Sequence, residues 1–254
     1  MGLIGPHRYP LMDAQEGGWT GVSANVHGRC QGCPRDPQKI PVLFEPKDPS
    51  KVEFVLLSQE PGHWLRPLGD NASVKLVSLS LGKGTPEEVR KANPLSKVAQ
   101  IFGPFDPSAS HVYWSHALKC IPTNSDRDVN KEWRKAATKC REHFIGELKV
   151  LGKTDLNILA FGKYALEMCL NVLDDQDIDQ ELSISEFMQS VKLPLVYKYR
   201  FKDGTVKNIN LYVFTNPSAE VVKVMKSGGK MTADEIQELE VKKIQGSFGV
   251  RKGR

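Results

Sequence analysis

Two distant stretches of the chain carry cysteines that one metal centre can share. Cys30 and Cys33 form a C-x-x-C pair, while Cys120 and Cys140 lie in the middle of the chain. Four thiolates suit zinc or an iron–sulfur cluster, and the ligand type alone does not decide between them. The alternative is that Cys120 and Cys140 are core thiols, because cysteine is often buried. Cys169 recurs with apolar residues at helical spacing and is interpreted as a core residue.

The composition indicates one soluble globular domain over residues 1–254. The chain has 254 residues, of which 40% are hydrophobic and 26% charged, an ordinary globular balance. No apolar run reaches the roughly 18 residues of a membrane span, and the start of the chain is too rich in Gly and Pro for a signal peptide. We therefore expect a cytoplasmic protein, where spaced cysteines more often bind metal or act in catalysis than form disulfides. A net charge of +5 permits nucleic-acid binding but does not require it.

Hydrophobic periodicity predicts strands that alternate with helices. Apolar runs bounded by turn residues predict strands at Val52–Ser58, His111–Lys119, Leu156–Phe161 and Val206–Thr215, with Leu195–Phe201 as the hairpin partner of the last. Helical spacing predicts helices at Pro94–Phe102, Asp126–Leu151, Lys163–Leu173, Pro217–Met225 and Thr232–Ile244. Residues 1–50 are predicted to form a loop-rich segment that bears the C-x-x-C pair. Residues 231–254 are predicted to form a C-terminal helix and a basic tail.

This order of elements predicts an α/β fold. Strands that alternate with helices imply a three-layer α/β/α architecture with a central, mainly parallel four-stranded sheet. Ligands in such sheets bind beyond the carboxyl ends of the strands. The sequence therefore directs attention to three strand ends, at residues 58–63, 115–116 and 215–218.

The motifs at these strand ends, taken in order with the cysteines, resemble the uracil-DNA glycosylase superfamily, and specifically its iron–sulfur branches (families four and five). The resemblance spans Cys30 to Met225. It rests on the C-x-x-C pair, Gln59-Glu60-Pro61-Gly62, a strand that runs into Lys119-Cys120, Cys140 in the next helix, Phe161-Gly162-Lys163-Tyr164-Ala165, and Asn216-Pro217-Ser218. No single motif is specific, whereas the ordered set is.

The resemblance implies a structural 4Fe-4S cluster and a DNA substrate. Its ligands would be Cys30, Cys33, Cys120 and Cys140, with zinc as the alternative metal. The resemblance also implies that the partner is DNA with a damaged base and that no membrane is involved. We expect a monomer.

The resemblance implies catalytic roles for Gln59, Glu60 and Asn216. Residues 59–63 are similar to the water-activating motif Gln-Asp-Pro-Tyr-His, in which Glu60 takes the acidic position. The iron–sulfur form, Gly-Glu-Ala-Pro-Gly, places its acid at Gln59, so both positions remain candidates. Asn216 takes the position of the His or Asn that approaches the base oxygen or the sugar in the superfamily.

The resemblance also implies a base-binding group. His116 lies four residues before Cys120, where the iron–sulfur families usually carry an Asn that reads the edge of uracil. An imidazole offers a different hydrogen-bonding shape from an amide, which makes a base other than uracil the alternative substrate. Other candidates to contact the base are Gly62, His63, Trp64 and Ser218. A stacking platform is expected from one of three aromatic residues, namely Trp64, Phe102 or Phe105.

Together these features predict a monofunctional DNA glycosylase that acts on a deaminated base, with uracil first. The three strand-end motifs contain no lysine for a Schiff-base step. Hypoxanthine, xanthine or another damaged base is the alternative substrate. A non-catalytic nucleic-acid-binding protein with the same fold and cluster is the alternative from a different functional class.

Overall fold

The computed structural model describes ten parts of the chain, which are residues 7–10, 42–45, 48–59, 111–119, 129–152, 154–174, 184, 187, 191–214 and 242. The strands in these parts are β1 (His7–Pro10), β2 (Val42–Glu45), β3 (Phe54–Ser58), β4 (Val112–His116), β5 (Asp155–Phe161), β6 (Leu195–Arg200) and β7 (Val206–Phe214). The helices are α1 (Val129–Val150), α2 (Lys163–Leu173) and a 3-10 turn at Pro49–Lys51.

The core of the protein is a mixed, mostly parallel sheet of five strands in the order β4-β3-β5-β7-β6. β4, β3, β5 and β7 run parallel, and β6 pairs antiparallel with β7. This arrangement confirms the predicted α/β class. The predicted count of four strands is wrong, because β6 is a full member of the sheet, with every residue from Leu195 to Arg200 in register with β7.

The turn between β6 and β7 explains why the hairpin closes. Gly204 has a φ of 88°, which a glycine adopts without steric cost, and its N–H donates to Phe201 O at 2.9 Å. Asp203 accepts a hydrogen bond from the Thr205 N–H at 3.1 Å and forms an ion pair with Lys149 at 2.7 Å. The hairpin predicted across Asp203-Gly204 is therefore confirmed, and its turn is tied to the last residues of α1.

The remaining predicted elements fall into three groups. The predicted strands are found with ends shifted by a few residues, α1 at Val129–Val150 lies within its predicted range, and α2 matches its predicted range. Within residues 1–50, predicted as loop, β1 and β2 form a small parallel sheet. The predicted helices at 94–102, 217–225 and 232–244 lie outside the described residues, apart from Lys242.

The two faces of the sheet follow from the strand register. Residues paired across neighbouring strands share a face, and successive residues alternate. One face, here called the helix face, carries Ser115, Ala160 and Val213, and α1 and α2 pack on it. The helices contact each other through Trp133 and Tyr164, whose rings stack at 4.3 Å. Among the described residues, no helix is both long and apolar enough to cross a membrane.

The second face, here called the opposite face, is divided in two. Near the carboxyl ends of the strands it is buried, and it includes Trp114, His116, Phe161 and Phe214. Near the amino ends of β5 and β7 it is polar and largely exposed, and amide side chains bond across the strands there. Asn210 donates to Asn157 at 3.0 Å, and Asn208 donates to Asp155 at 2.9 Å. The buried half therefore lies at the edge where ligands bind in α/β sheets.

Lys207 joins the sheet to the end of α1. Its side chain is buried on the helix face, where Nζ donates to the carbonyls of Leu151 and, at 3.3 Å, Gly152. Gly152, with a φ of 63°, ends the helix in the left-handed conformation typical of helix C-termini. Burial lowers the pKa of Lys207 from 10.5 to about 8. The ammonium thus satisfies carbonyls that the helix itself leaves without partners.

The lowered pKa of Lys207 should be visible in the pH dependence of the free energy of unfolding. The unfolded chain holds the Lys207 proton up to about pH 10.5 and the folded chain only to about 8, so the unfolded state binds more protons in that window. We expect the free energy of unfolding of the wild type, relative to that of Lys207→Met, to rise as the pH goes from 8 to 10. Urea denaturation at several pH values measures the difference. Lys198→Met, which removes one charge from the exposed side of β6, is the matched control.

Candidate functional site

The described strand ends converge at one edge of the sheet. β3 leads to β4 on one side, and the chain then returns past β3 to β5 and continues outward to β7. The connections that follow β3 and β5 therefore leave in opposite directions from neighbouring strands. This is the arrangement that opens a ligand crevice beyond the carboxyl ends in α/β sheets. Gln59 follows β3 and Gly162 follows β5, so both lie where such a crevice is expected.

Main-chain hydrogen bonds join the end of β3 to the segment that follows β4. Ser58 is in register with His116, and the ladder continues beyond the strands as Ala117 N–H donates to Ser58 O at 2.8 Å and Leu118 N–H to Gln59 O at 2.9 Å. The two predicted motifs that begin at Gln59 and at His116 are thus brought together. Glu60, the neighbour of Gln59, lies outside the described residues.

Side chains reinforce the same junction. The Trp114 indole Nε1 donates to the Ser58 hydroxyl at 3.1 Å, and that hydroxyl donates to Ser115 O at 3.5 Å. The Trp114 ring also stacks with the His116 ring at 6.2 Å and 21°. The end of β4 is therefore fixed both along the backbone and across the opposite face.

His116 is the best-defined candidate site residue. Its side chain lies on the opposite face, and only 3% of the residue is exposed. Desolvation, followed by the positive charge of Lys119, holds its pKa well below 6.5. A neutral imidazole offers one hydrogen-bond donor and one acceptor. His116 therefore presents a fixed, uncharged hydrogen-bonding group near neutral pH.

A second junction joins the ends of β5 and β7. The Gly162 N–H donates to Phe214 O at 2.9 Å, and the rings of Phe161 and Phe214 stack at 4.9 Å with 16° between their planes. Gly162, at a φ of 91°, turns the chain directly into α2. Asn216 follows the end of β7 by two residues and lies, with Ser218, outside the described part of the chain. The remaining predicted base-binding residues, Gly62, His63 and Trp64, lie outside it too.

A buried polar network on the helix face was missed by the sequence reasoning. Lys119 Nζ donates to Glu147 Oε2 at 2.7 Å and to the Ser115 hydroxyl at 2.6 Å, and that hydroxyl donates to the same Glu147 oxygen at 2.6 Å. The ammonium also lies 5.5 Å from the centre of the Phe144 ring. One signal was available in the sequence, because Glu147 falls beside Phe144 and Leu148 on the apolar side of a predicted helix, where an acid needs a partner.

One of the four predicted cluster cysteines is described. Cys140 is buried on α1, whereas Cys30, Cys33 and Cys120 lie outside the described residues. Within the described ranges, no group of three or more His, Cys, Asp or Glu residues is placed to hold a metal ion. Cys120 directly follows Lys119, and the ion pair ties Lys119 to the helix that carries Cys140. Seven residues of helix separate Cys140 from Glu147, about 10 Å along the axis.

Cys169 has a different environment. It lies on α2 and is fully buried, and this burial raises the pKa of its thiol. A thiol held in its neutral form is a poor metal ligand, because metals bind the thiolate. The interpretation of Cys169 as a core residue is confirmed.

Comparison with known proteins assigns no family to this chain. No protein-family model matches it, and no curated protein matches it.

The depressed pKa of His116 generates a prediction for stability in acid. Because the unfolded chain takes up a proton near pH 6.5 and the folded chain resists it, the unfolded state gains relative stability as the pH falls below 6.5. We expect the wild type to lose more stability than His116→Gln between pH 7.5 and 5.5, by at most about 1.4 kcal/mol per pH unit for one proton. Urea denaturation of both proteins measures this. Equal losses would show that His116 is not held neutral by the fold.

Proposed function

We propose that this protein is a monofunctional DNA glycosylase related to the iron–sulfur branches of the uracil-DNA glycosylase superfamily. It would hydrolyse the N-glycosidic bond of a deaminated base, with uracil as the first candidate. The observation that carries the proposal is the hydrogen-bonded junction of Gln59 with the segment after His116. Two motifs that are far apart in the chain become neighbours there, as a base-excising site requires. The finer architecture that we propose is a three-layer α/β/α domain.

The proposed chemistry begins with a flipped base. A base must leave the stack to be read in a closed pocket. Breaking its bond to the sugar places positive charge on the sugar and negative charge on the base, so a carboxylate beside the sugar and a neutral donor beside the base lower the barrier. We assign the first role to Glu60, with Gln59 as the alternative position. We assign the second to Asn216 together with His116.

The environment of His116 supports its assignment as the base reader. A cationic imidazole would offer two donors, whereas the neutral ring held by this fold offers a donor and an acceptor. Uracil, hypoxanthine and xanthine all present carbonyl acceptors and N–H donors to such a group. The base-binding pocket would be completed by Gly62, His63, Trp64 and Ser218. Because His116 takes the position of an Asn in the families that the sequence resembles, we propose hypoxanthine and xanthine as the alternative bases.

The surroundings of Lys119 support a monofunctional reaction. A Schiff-base mechanism needs an amine that can attack the sugar. Lys119 is the lysine closest in sequence to the proposed base reader, but its ammonium is buried on the helix face and engaged by Glu147 and Ser115. His116 lies on the opposite face. Lys119 is therefore directed away from the proposed reaction.

The proposed cofactor is a 4Fe-4S cluster held by Cys30, Cys33, Cys120 and Cys140, with zinc as the alternative. Thiolate ligands of this number suit both. The group would supply a structural link rather than a reacting atom. Cys140 would hold it from α1, and Cys120 from the segment that Lys119 anchors. The protein would act on DNA as a monomer.

An excision screen tests the proposed function. We expect the wild type to release at least one base from single- or double-stranded oligonucleotides that carry uracil, hypoxanthine, xanthine or a thymine mispair. Glu60→Gln with Asn216→Ala should lower the single-turnover rate by about 100-fold or more, because both charge-stabilising groups are lost. Product strands are measured after alkaline cleavage at abasic sites.

The matched control removes one carboxylate and one amide near the amino ends of β3 and β7. Glu53 is an exposed acid before β3, and Asn208 is an exposed amide in β7. Glu53→Gln with Asn208→Ala should keep the wild-type rate. Unchanged excision in the Glu60 and Asn216 double variant would disprove the proposed site. DNA binding without release of any base would favour the non-catalytic protein.

A comparison of two buried cysteines tests the cofactor. Purified without oxygen, the wild type should contain iron and sulfide and absorb visible light. Cys140→Ala should lose both, whereas Cys169→Ala, the matched control on α2, should retain them. Iron, sulfide and zinc analysis with the visible spectrum measures the result. A colourless protein that contains zinc instead would overturn the cluster assignment.

A further inference from the structure

The network of Ser115, Lys119 and Glu147 links the two parts of the protein on which the proposed function depends. Ser115 immediately precedes His116 in β4, and Lys119 immediately precedes Cys120. Glu147 lies on α1, the helix of Cys140. The segment from 115 to 119 is therefore attached at both ends to one carboxylate on that helix.

The network is buried and its groups satisfy one another. The side chains of Lys119 and Glu147 are 3% and 1% exposed, and one carboxylate oxygen accepts from both the ammonium and the hydroxyl. Removal of any one member would leave a buried charge or hydroxyl without its partner, which is strongly unfavourable. A conformation that separates Lys119 from Glu147 has the same cost. The segment consequently has one favourable position against α1.

This position also determines which way His116 points. Successive residues of a strand lie on opposite faces, so a shift of β4 by one residue would bring His116 to the helix face and Ser115 to the opposite face. The hydroxyl of Ser115 bonds to Glu147 only when Ser115 lies on the helix face. The network thus favours the register in which His116 lies on the buried half of the opposite face.

A purely stabilising role accounts poorly for such an arrangement. The desolvation of two charges largely offsets their attraction, and apolar residues of similar size often support a fold equally well. What apolar residues do not reproduce is the directional bonding of Ser115 and Lys119 to a single oxygen. The network therefore contributes by fixing the positions of these side chains rather than by adding stability.

We propose that Lys119 and Glu147 are positioning residues, which with Ser115 hold the base-reading His116 and the cluster-bearing end of the segment in a fixed relation to α1. The inference rests on the proposed function for the role of His116. It goes beyond that function because it makes the accuracy of base reading depend on groups on the helix face, whereas His116 lies on the opposite face. None of the three groups would touch DNA or the reacting atoms.

The decisive variant replaces the whole network with apolar side chains. In Ser115→Ala with Lys119→Met and Glu147→Met, no buried polar group of the network remains, so we expect a thermal midpoint close to that of the wild type. The kcat for base release should still fall by about 10- to 100-fold, because small displacements of a reading group carry losses of that size. The KM for the same DNA should stay unchanged, since none of the three groups is proposed to touch DNA. Loss of iron to a chelator should also be faster, because Cys120 follows Lys119.

Two further variants keep the test informative. Ser115→Ala removes the hydroxyl that joins β4 to Glu147 while the ion pair of Lys119 and Glu147 stays, and it serves if the triple variant does not fold. Lys149→Met with Asp203→Asn is the matched control, because it breaks an ion pair of the same 2.7 Å length between α1 and the β6–β7 turn at the surface. The control should keep wild-type kcat and wild-type iron loss.

The outcomes separate this inference from the proposed function. A folded triple variant, or Ser115→Ala in its place, that keeps both wild-type kcat and the wild-type rate of iron loss overturns the positioning role. A loss in either assay that the control does not share supports it. If the wild type releases no base, the proposed function fails, and the rate of iron loss alone then decides the role of the network, with an unchanged rate overturning it.

Discussion

The structure depends on β3, a strand of five residues that is bonded along both edges. β4 pairs with it on one side and β5 on the other, and Val55, Leu56 and Leu57 are buried on both faces of the sheet. Because β3 is central and parallel to both neighbours, its register determines where the ends of β4 and β5 lie. The alignment of Ser58 with His116 and of Leu57 with Ala160 places three strand ends at one edge. The candidate site is a consequence of that alignment.

Elements with strong local patterns could be predicted from the sequence. The helix at 163–173 has apolar residues at regular helical spacing and starts after a glycine, and its predicted range matches the structure. The hairpin of β6 and β7 carries a recognisable turn. The number of strands in the sheet was less accessible, because the exposed alternation of β6 resembles a peripheral strand as much as a sheet member. The pairing of β1 with β2 joins segments more than thirty residues apart and has no local signal.

The candidate site shows the same division between local and long-range information. The position of His116 at a strand end could be predicted, since it depends on one apolar run. The neighbours that decide its chemistry could not, because burial lowers its pKa through contacts from several elements. Glu147 and Lys119 are far apart in sequence, and although Glu147 falls on the apolar side of its helix, no local pattern identifies Lys119 as its partner. Only the packing of α1 on the sheet brings their charges within 2.7 Å.

The divided opposite face has a practical consequence. Its exposed half presents Lys198 and Arg200 on the edge strand beside the amides of β7, at the amino ends of the parallel strands, whereas the candidate site lies at their carboxyl ends. Side chains there contribute little to the core, so they tolerate chemical change. A fluorophore or surface tether attached through a cysteine at position 198 would sit across the length of the sheet from the candidate site. The fold thus offers an attachment point for single-molecule measurements that leaves the strand ends unobstructed.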